Sequence, residues 1–282
     1  MTCNKYSKTK KINNQKKPNF SGQHFMHNRK LIEEIVAHAD IASHETVLDL
    51  GAGKGALTTV LSSRAQRVLA VEYDEKLVDY LQRKMMSYPN VKVIHHDILT
   101  MPMPKQSFVV VSNIPYSITT PIMKRLLDQP AGPFQRWVIV MEKGAAKRFT
   151  ASTIKDAYVI AWRMFFDIRY AKDISRNNFS PPPKVDSAML TIKRKRHPLI
   201  PPAKYSAFKG LAEYALHKPA LPVNLALRGI FTPPQLKHVR RQLGLNSETP
   251  ISALSEQQWA RLLEAMLNHV PAFRWPKRKK RK

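Results

Sequence analysis

The stretch Val47-Leu48-Asp49-Leu50-Gly51-Ala52-Gly53-Lys54-Gly55 constrains this chain more than any other. Residues 47–50 read as a buried strand of a parallel sheet. The glycines then turn the chain tightly, and residues 56–61 continue as a helix. Such a joint offers free backbone N–H groups to a ligand at the carboxyl edge of the sheet. Glycine lets that ligand come close to the backbone. The spacing is G-x-G-x-G. It is not the G-x-G-x-x-G of a dinucleotide turn, and it is not a P-loop, because no Ser or Thr follows the Lys to hold magnesium. It suits a small nucleoside ligand without a pyrophosphate. Taken alone, the turn serves a ligand-free strand–helix joint equally well.

The strands that follow narrow the reading. Residues 67–72 form an apolar run that ends in Glu72, about 20 residues after the first glycine, where an acid grips a ribose diol. Residues 91–97 end in Asp97, whose carboxylate could accept a hydrogen bond from an adenine amino group. Residues 108–112 lead into Asn113-Ile114-Pro115-Tyr116. Either acid alone would read as an ordinary helix cap. Four strands in series, placing Gly51, Glu72, Asp97 and Asn113 along one edge, read as a site.

Those residues resemble the Erm family of rRNA adenine N6-methyltransferases, related to the small-subunit dimethyladenosine transferases. The motifs run in family order: Gly22-Gln23-His24-Phe25, Asp49 to Gly55, Val71-Glu72, His96-Asp97, Asn113-Ile114-Pro115-Tyr116 and Phe179-Ser180-Pro181-Pro182-Pro183-Lys184-Val185. The resemblance implies an α/β fold, a class I (Rossmann-like) methyltransferase domain with a small all-helical C-terminal domain. It implies S-adenosylmethionine as methyl donor and no metal. His24, Met26, Gly51, Gly53, Glu72, Asp97 and Asn113 are then the donor-binding residues. His24 departs from the family, which usually has Asn there; a ring N–H or a backbone contact could still serve.

The implied chemistry is methyl transfer to an exocyclic amine whose lone pair is delocalised into the ring. Asn113 would offer a side-chain carbonyl and Ile114 a backbone carbonyl to the two amine hydrogens, localising that lone pair. Pro115 fixes the backbone and has no N–H to compete. Tyr116 offers a face for the target base, and Phe179 is expected to close from the other side. Orientation and electrostatics, rather than a strong base, carry the rate. The resemblance implies an unpaired adenine of 23S rRNA as target, and resistance to macrolide, lincosamide and streptogramin B drugs as the consequence. Ile114 resembles the Erm branch, whereas the small-subunit branch more often has Leu. The alternatives are a small-subunit dimethylase and, from another class, a non-catalytic RNA-binding factor on the same fold. A nicotinamide dehydrogenase is disfavoured by the glycine spacing.

Charge points the same way. The chain has 282 residues, 47 Lys and Arg against 20 Asp and Glu, and a formal net charge of +27. Such an excess calls for a polyanionic partner. No apolar run reaches the length of a membrane span, and the Lys- and Asn-rich start carries no apolar signal segment. A single cysteine, Cys3, excludes an internal disulfide and a cysteine cluster for zinc. A cytoplasmic, monomeric enzyme is expected.

The expected organisation is a disordered basic arm over residues 1–18, a methyltransferase domain over 19–196, a helical RNA-binding domain over 197–276 and a basic tail over 277–282. Asn28 reads as an N-cap for a helix with the stripe Leu31, Ile32, Ile35 and Val36, placed as a lid over the pocket. A helix over 73–86 is expected to bury Leu77, Tyr80, Leu81 and Met85. Another is expected to start at Thr120 and Pro121, burying Met123, Leu126 and Leu127. The pair 157–166 and 187–192 is expected to give the sheet an antiparallel end. Lys143, Lys147 and Arg148 are candidates for RNA contact. Helices are expected over 205–216, 234–243 and 255–270.

Residues 277–282 are six consecutive cations. Their deletion should flatten the dependence of log RNA affinity on log salt by up to ~0.7 per lost phosphate contact on a single-stranded target. Filter binding across a salt series measures this. An unchanged slope would make the tail a solubilising extension.

Overall fold

The structure, a computed structural model, describes residues 23–276. The expected basic arm, Gly22 of the first motif, Cys3 and the tail lie outside the described residues. Nine strands and ten α-helices follow one another in a largely alternating order. A short strand β1 (Phe25–Met26) precedes helix α1 (Arg29–His38). Then come β2 (Thr46–Leu50), α2 (Ala56–Ser62), β3 (Arg67–Glu72), α3 (Glu75–Met85) and β4 (Val91–His95). The middle of the chain gives β5 (Phe108–Asn113), α4 (Thr119–Leu127), β6 (Phe134–Glu142), α5 (Lys143–Thr150) and α6 (Ala157–Arg163). Strands β7 (Phe166–Ile174), β8 (Phe179–Ser180) and β9 (Ser187–Arg194) complete the sheets.

The main sheet has the order β4-β3-β2-β5-β6-β9-β7. Its first five strands are parallel, and β9 runs antiparallel to both β6 and β7. Both faces are covered, which explains the apolar runs of β3 and β5 and a β2 that is apolar but for Asp49. Alternate side chains go to opposite faces. Val47, Val68, Val109, Val111, Val138 and Val140 pack with α1 and α2. Leu48, Leu50, Val71, Val110, Trp137 and Ile139 pack with α4, α6 and the C-terminal helices. Strand order reverses at β2, and such a switch point opens a crevice at the carboxyl ends of the strands.

Several expectations move. Helix α3 starts after Asp74, whose side chain accepts from Leu77 N, and it buries Val78, Leu81 and Met85. Tyr80 is 45 % exposed and Leu77 faces the crevice, so the buried stripe is rotated from the expected one toward β3 and β4. Helix α4 begins at Thr119, one residue before the expected start. Residues 157–166 are helix α6 and its exit; the strand paired with β9 is the next segment, β7. Residues 159–166 are buried without a break, so no period distinguishes helix from strand there. Asn28 does cap α1 by accepting from Leu31 N, but the stripe of α1 is sealed against the sheet. Of the segment from the first motif to Asp40 placed as a lid, it is the part ahead of the helix, residues 23–27, that covers the crevice.

Beyond β9 the chain is helical: α7 (Tyr205–Ala215), α8 (Val223–Ala226), α9 (Pro233–Leu243) and α10 (Glu256–His269). Ser255 accepts from Gln258 N at 3.2 Å while the Gln258 side chain accepts from Ser255 N at 2.9 Å, a reciprocal cap that starts α10. These helices do not have a core of their own. Phe208, Leu211, Trp259 and Leu262 belong to the same apolar cluster as Trp162 and Phe165. No helix among the described residues is long and apolar enough to cross a membrane.

Asp128, which caps the C-terminal end of α4, ties the two regions together. Its carboxylate accepts from Trp162 Nε1 at 2.8 Å, Tyr205 Oη at 2.8 Å and Lys209 Nζ at 2.6 Å. Burial acts to raise its pKa, but these three donors outweigh burial and hold it below the ordinary value of 3.8. The stability it contributes is therefore full at neutral pH and is lost as pH falls through that depressed value. Asp128→Ala strands the buried Lys209 and should cost about 3–5 kcal/mol. A urea titration followed by circular dichroism reads this as a lower midpoint with the native helix signal intact in water.

Candidate active site

At the switch point the glycine turn, the ends of β3, β4 and β5, and residues 23–27 enclose a cavity of about 430 Å³. Its floor is the turn after β2. Gly53 has φ +53°, and a Cβ there would lie 3.1 Å from the Phe25 ring. Gly55 has φ +73°, and a Cβ there would lie 2.5 Å from Leu81 Cδ1 on α3. Both positions combine a left-handed backbone with no room, so only glycine suits them. Lys84 Nζ donates to Lys54 O at 2.9 Å, fixing the outer side of the turn. The Lys54 ammonium lies 4.6 Å from the centroid of the Phe25 ring, joining turn and cover.

Glu72, at the end of β3, is buried. Its Oε2 accepts from Gly53 N at 2.8 Å, and its Oε1 accepts from Tyr73 N at 2.8 Å and Asp74 N at 3.0 Å. A carboxylate oxygen has two acceptor positions, so Oε2 keeps one for a hydroxyl in the cavity. Asp97 sits just beyond β4, with Oδ1 accepting from Leu99 N at 2.8 Å. Apolar side chains of Leu77, Ile98 and Leu99 lie beside it on the cavity wall. Two acids with acceptor capacity to spare, set beside an apolar wall, are of the kind that could receive an adenosine.

Asn113 ends β5, and its Nδ2 donates to His24 O at 3.0 Å. That bond fixes the sense of the amide: the NH₂ is used on the cover, and Oδ1 is the free end. Ile114 lines the cavity and is buried, at 1 % exposure, with its side chain in the core cluster. Pro115 follows, and then Tyr116, whose hydroxyl is 2.5 Å from Ser187 Oγ at the start of β9. Burial raises the Tyr116 phenol above its ordinary 10.0, and the Glu142 and Asp186 carboxylates add to this. The ring therefore stays neutral. His24 donates from Nδ1 to Pro181 O at 2.7 Å, and its ring lies 6.2 Å from that of Tyr116.

The sequence-derived residues His24, Met26, Gly51, Gly53, Glu72, Asp97, Asn113, Ile114, Pro115 and Tyr116 all line this one cavity. Phe179 does not. Strands β1 and β8 pair with Met26 opposite Phe179 and Phe25 opposite Ser180. Neighbouring side chains on a strand point to opposite faces. Ser180 therefore faces the cavity, and Phe179 is buried with Ile174 and Met189. In this arrangement Phe179 packs behind the cover rather than on the cavity wall.

Asp49 was passed over in sequence as part of the apolar strand. It lines the cavity and is buried. Its Oδ2 accepts from Thr58 Oγ1 at 2.6 Å, and its Oδ1 has no partner among the described residues. Burial, helped by the nearby Glu72 charge, pushes its carboxyl up to about 7. The signal was available: one acid inside a strand that is otherwise apolar, just ahead of the glycines. Ser187 carried no signal, since its role needs the distant Tyr116.

The family model for ribosomal RNA adenine dimethylase matches residues 13–267. The chain belongs to that family. It is an S-adenosylmethionine-dependent rRNA (adenine-N6)-methyltransferase on a class I methyltransferase fold. An rRNA adenine N-6-methyltransferase of Bacillus licheniformis is 58 % identical over 273 residues, 97 % of this chain and 95 % of that one. The small-subunit methyltransferase A of Streptococcus thermophilus is 36 % identical over 191 residues, 64 % of this chain and 66 % of that one. The crystal structure of the 23S rRNA methyltransferase ErmE superposes with a TM-score of 0.77 at 26 % identity, covering 86 % of this chain and all of that one.

The cavity fits the family's donor on its own terms. An orphaned buried carboxylate oxygen, Asp49 Oδ1, suits the cationic amino acid end, and Glu72 and Asp97 suit the nucleoside end. Among the described residues, no group of three or more His, Cys, Asp or Glu is arranged to hold a metal ion.

A raised folded-state pKa on an acid is a cost that grows with pH. Between the ordinary 3.8 and about 7 the unfolded chain ionises Asp49 while the folded chain does not. Asp49→Asn should therefore be more stable than the parent by a few kcal/mol at pH 8 without donor, and equal to it near pH 4. Thermal melts at the two pH values test this. Donor affinity of the parent should rise as pH passes through about 7, and that rise should be absent in Asp49→Asn.

Proposed function

We propose that this chain methylates N6 of one unpaired adenine in 23S rRNA and so confers macrolide, lincosamide and streptogramin B resistance. The observation that carries the chemistry is the polarity of Asn113: its NH₂ is bonded to His24 O, which leaves Oδ1 for the substrate. The 23S target is supported by the likeness to ErmE, by Ile114 in the Asn-x-Pro-Tyr turn, and by similarity running through nearly the whole chain to rRNA adenine N-6-methyltransferases. Similarity to the small-subunit enzyme stops at about two thirds.

S-adenosylmethionine supplies an electrophilic methyl group on a sulfonium sulfur. Glu72 holds the ribose hydroxyls, Asp97 takes an adenine amino hydrogen, and Asp49 faces the amino acid end. Gly51 and Gly53 allow close approach, and His24 covers the site, beside Met26, whose side chain packs on the face of Phe179. The target base stacks on Tyr116, whose ring is held by Ser187. Asn113 Oδ1 and the Ile114 carbonyl accept the two N6 hydrogens and draw the nitrogen lone pair out of conjugation. The developing positive charge at N6 is met by the same two acceptors, and the proton leaves to solvent with the product.

A base within a duplex cannot reach this cavity, so the target is unpaired or flipped. Lys143, Lys147 and Arg148 on α5, with the exposed Lys237 and Arg241 on α9, are proposed to hold phosphates of the RNA. The basic arm and tail add to this.

Asn113→Ala should lower kcat by about 10²-fold or more, as expected for an interaction made mainly in the transition state, with donor binding weakened by much less. Tyr116→Phe keeps the ring but loses the Ser187 hydrogen bond, so it should fall between parent and Tyr116→Ala. Primer extension on a 23S peptidyl-transferase-loop transcript should stop at a single adenine, and expression in a sensitive bacterium should raise erythromycin tolerance. Labelled methyl found in small-subunit particles but not in the transcript, with tolerance unchanged, would move the assignment to the small-subunit branch.

A further inference from the structure

Residues 97–101 form a turn wound on Asp97. Leu99 N donates to Asp97 Oδ1 at 2.8 Å, and Thr100 N and Met101 N donate to Asp97 O at 3.0 and 2.9 Å. The N–H groups of the turn thus converge on Asp97, and its carbonyls are left to find partners elsewhere. Ile98 and Met101 are buried, so unpaired carbonyls here would be costly.

The partner comes from outside the turn. Arg125 on α4 donates from Nη1 to Leu99 O and from Nη2 to Met101 O. The guanidinium is a rigid planar fork, so two bonds to two carbonyls fix both their spacing and their direction. Its charge also lies near enough to Asp97 for the two to attract. Among the described ion pairs Arg125 has no carboxylate within bonding distance, so its fork is used on this turn. The anchor itself is firm. Helix α4 buries Ile122, Met123, Leu126 and Leu127, and its end is held through Asp128. Its start follows within three residues of Tyr116.

We propose that Arg125 is a positioning residue for donor recognition: its fork holds the turn so that the Asp97 carboxylate meets the amino group of the donor's adenine. This rests on the reading of Asp97 as the partner of that amino group. Arg125 touches neither donor nor target base. Lysine would reach one carbonyl and leave the other free, so it would hold the turn incompletely.

The test uses the full chain and two probes, S-adenosylhomocysteine and S-inosylhomocysteine, which differ in a 6-amino against a 6-oxo group. Titration calorimetry gives the affinity ratio between them. The parent should favour the amino form, and Asp97→Ala should abolish the preference. Arg125→Ala should cut the preference by about tenfold, the scale of one well-placed hydrogen bond, and Arg125→Lys should cut it by less. In steady state, Arg125→Ala should raise the donor KM with kcat at saturating donor kept within about twofold, as for loss of ground-state binding. If Asp97→Ala retains the preference, the reading of Asp97 falls and the proposal with it. If Asp97→Ala loses the preference while both Arg125 variants keep it in full, the proposal alone is overturned. Equal weakening of both probes in the Arg125 variants also overturns it, since that is what loosened structure would give. Should Arg125→Ala not fold, Arg125→Lys carries the same comparison.

Discussion

The bond from Gly53 N to Glu72 Oε2 is the constraint on which the rest of the site hangs. It closes the glycine turn of β2 onto the neighbouring strand β3. The same carboxylate caps the entry to α3 through Tyr73 N and Asp74 N. Three backbone donors therefore converge on one buried acid, and the turn can take only one shape. Phe25 can then lie against Gly53 because no side chain stands there. The cover, the floor and the nucleoside end of the cavity are fixed by one set of hydrogen bonds.

The site is built with some polar capacity unspent. Asp49 Oδ1 is buried without a partner among the described residues, and burial pushes the carboxyl up to about 7. An unpaired buried acceptor is destabilising in the free protein. Its cost is recovered when a cationic ligand arrives, so free energy withheld from folding appears as affinity. The apolar sheet and the shared core under the C-terminal helices supply the stability that allows this.

Much of the site was legible in the sequence because it sits at strand ends. An acid or amide closing an apolar run stands out, and Glu72, Asp97 and Asn113 all do so in series. Gly53 and Gly55 were legible because no other residue fits there. The direction of Phe179 was not legible, because it depends on the register of β1 against β8, a pairing of segments some 150 residues apart. Helix α6 was opaque because it is buried all round. Arg125 gave no local sign, since its partners are carbonyls, and every residue has one. The stripe of α3 slipped because the helix begins at Glu75, after a cap at Asp74.

The hydrogen bond from Asn113 to the His24 carbonyl has an effect on which bases can enter. A carboxylate at position 113 would be the better acceptor for an amine, yet it would set oxygen against oxygen at His24. The amide satisfies the cover and still presents an acceptor. In the proposed reading Asn113 Oδ1 would meet an incoming base edge with lone pairs, favouring an amine there over the carbonyl oxygen of guanine or uracil. Cytosine also brings an amine, so its exclusion would fall to the size of the ring that Tyr116 would cover.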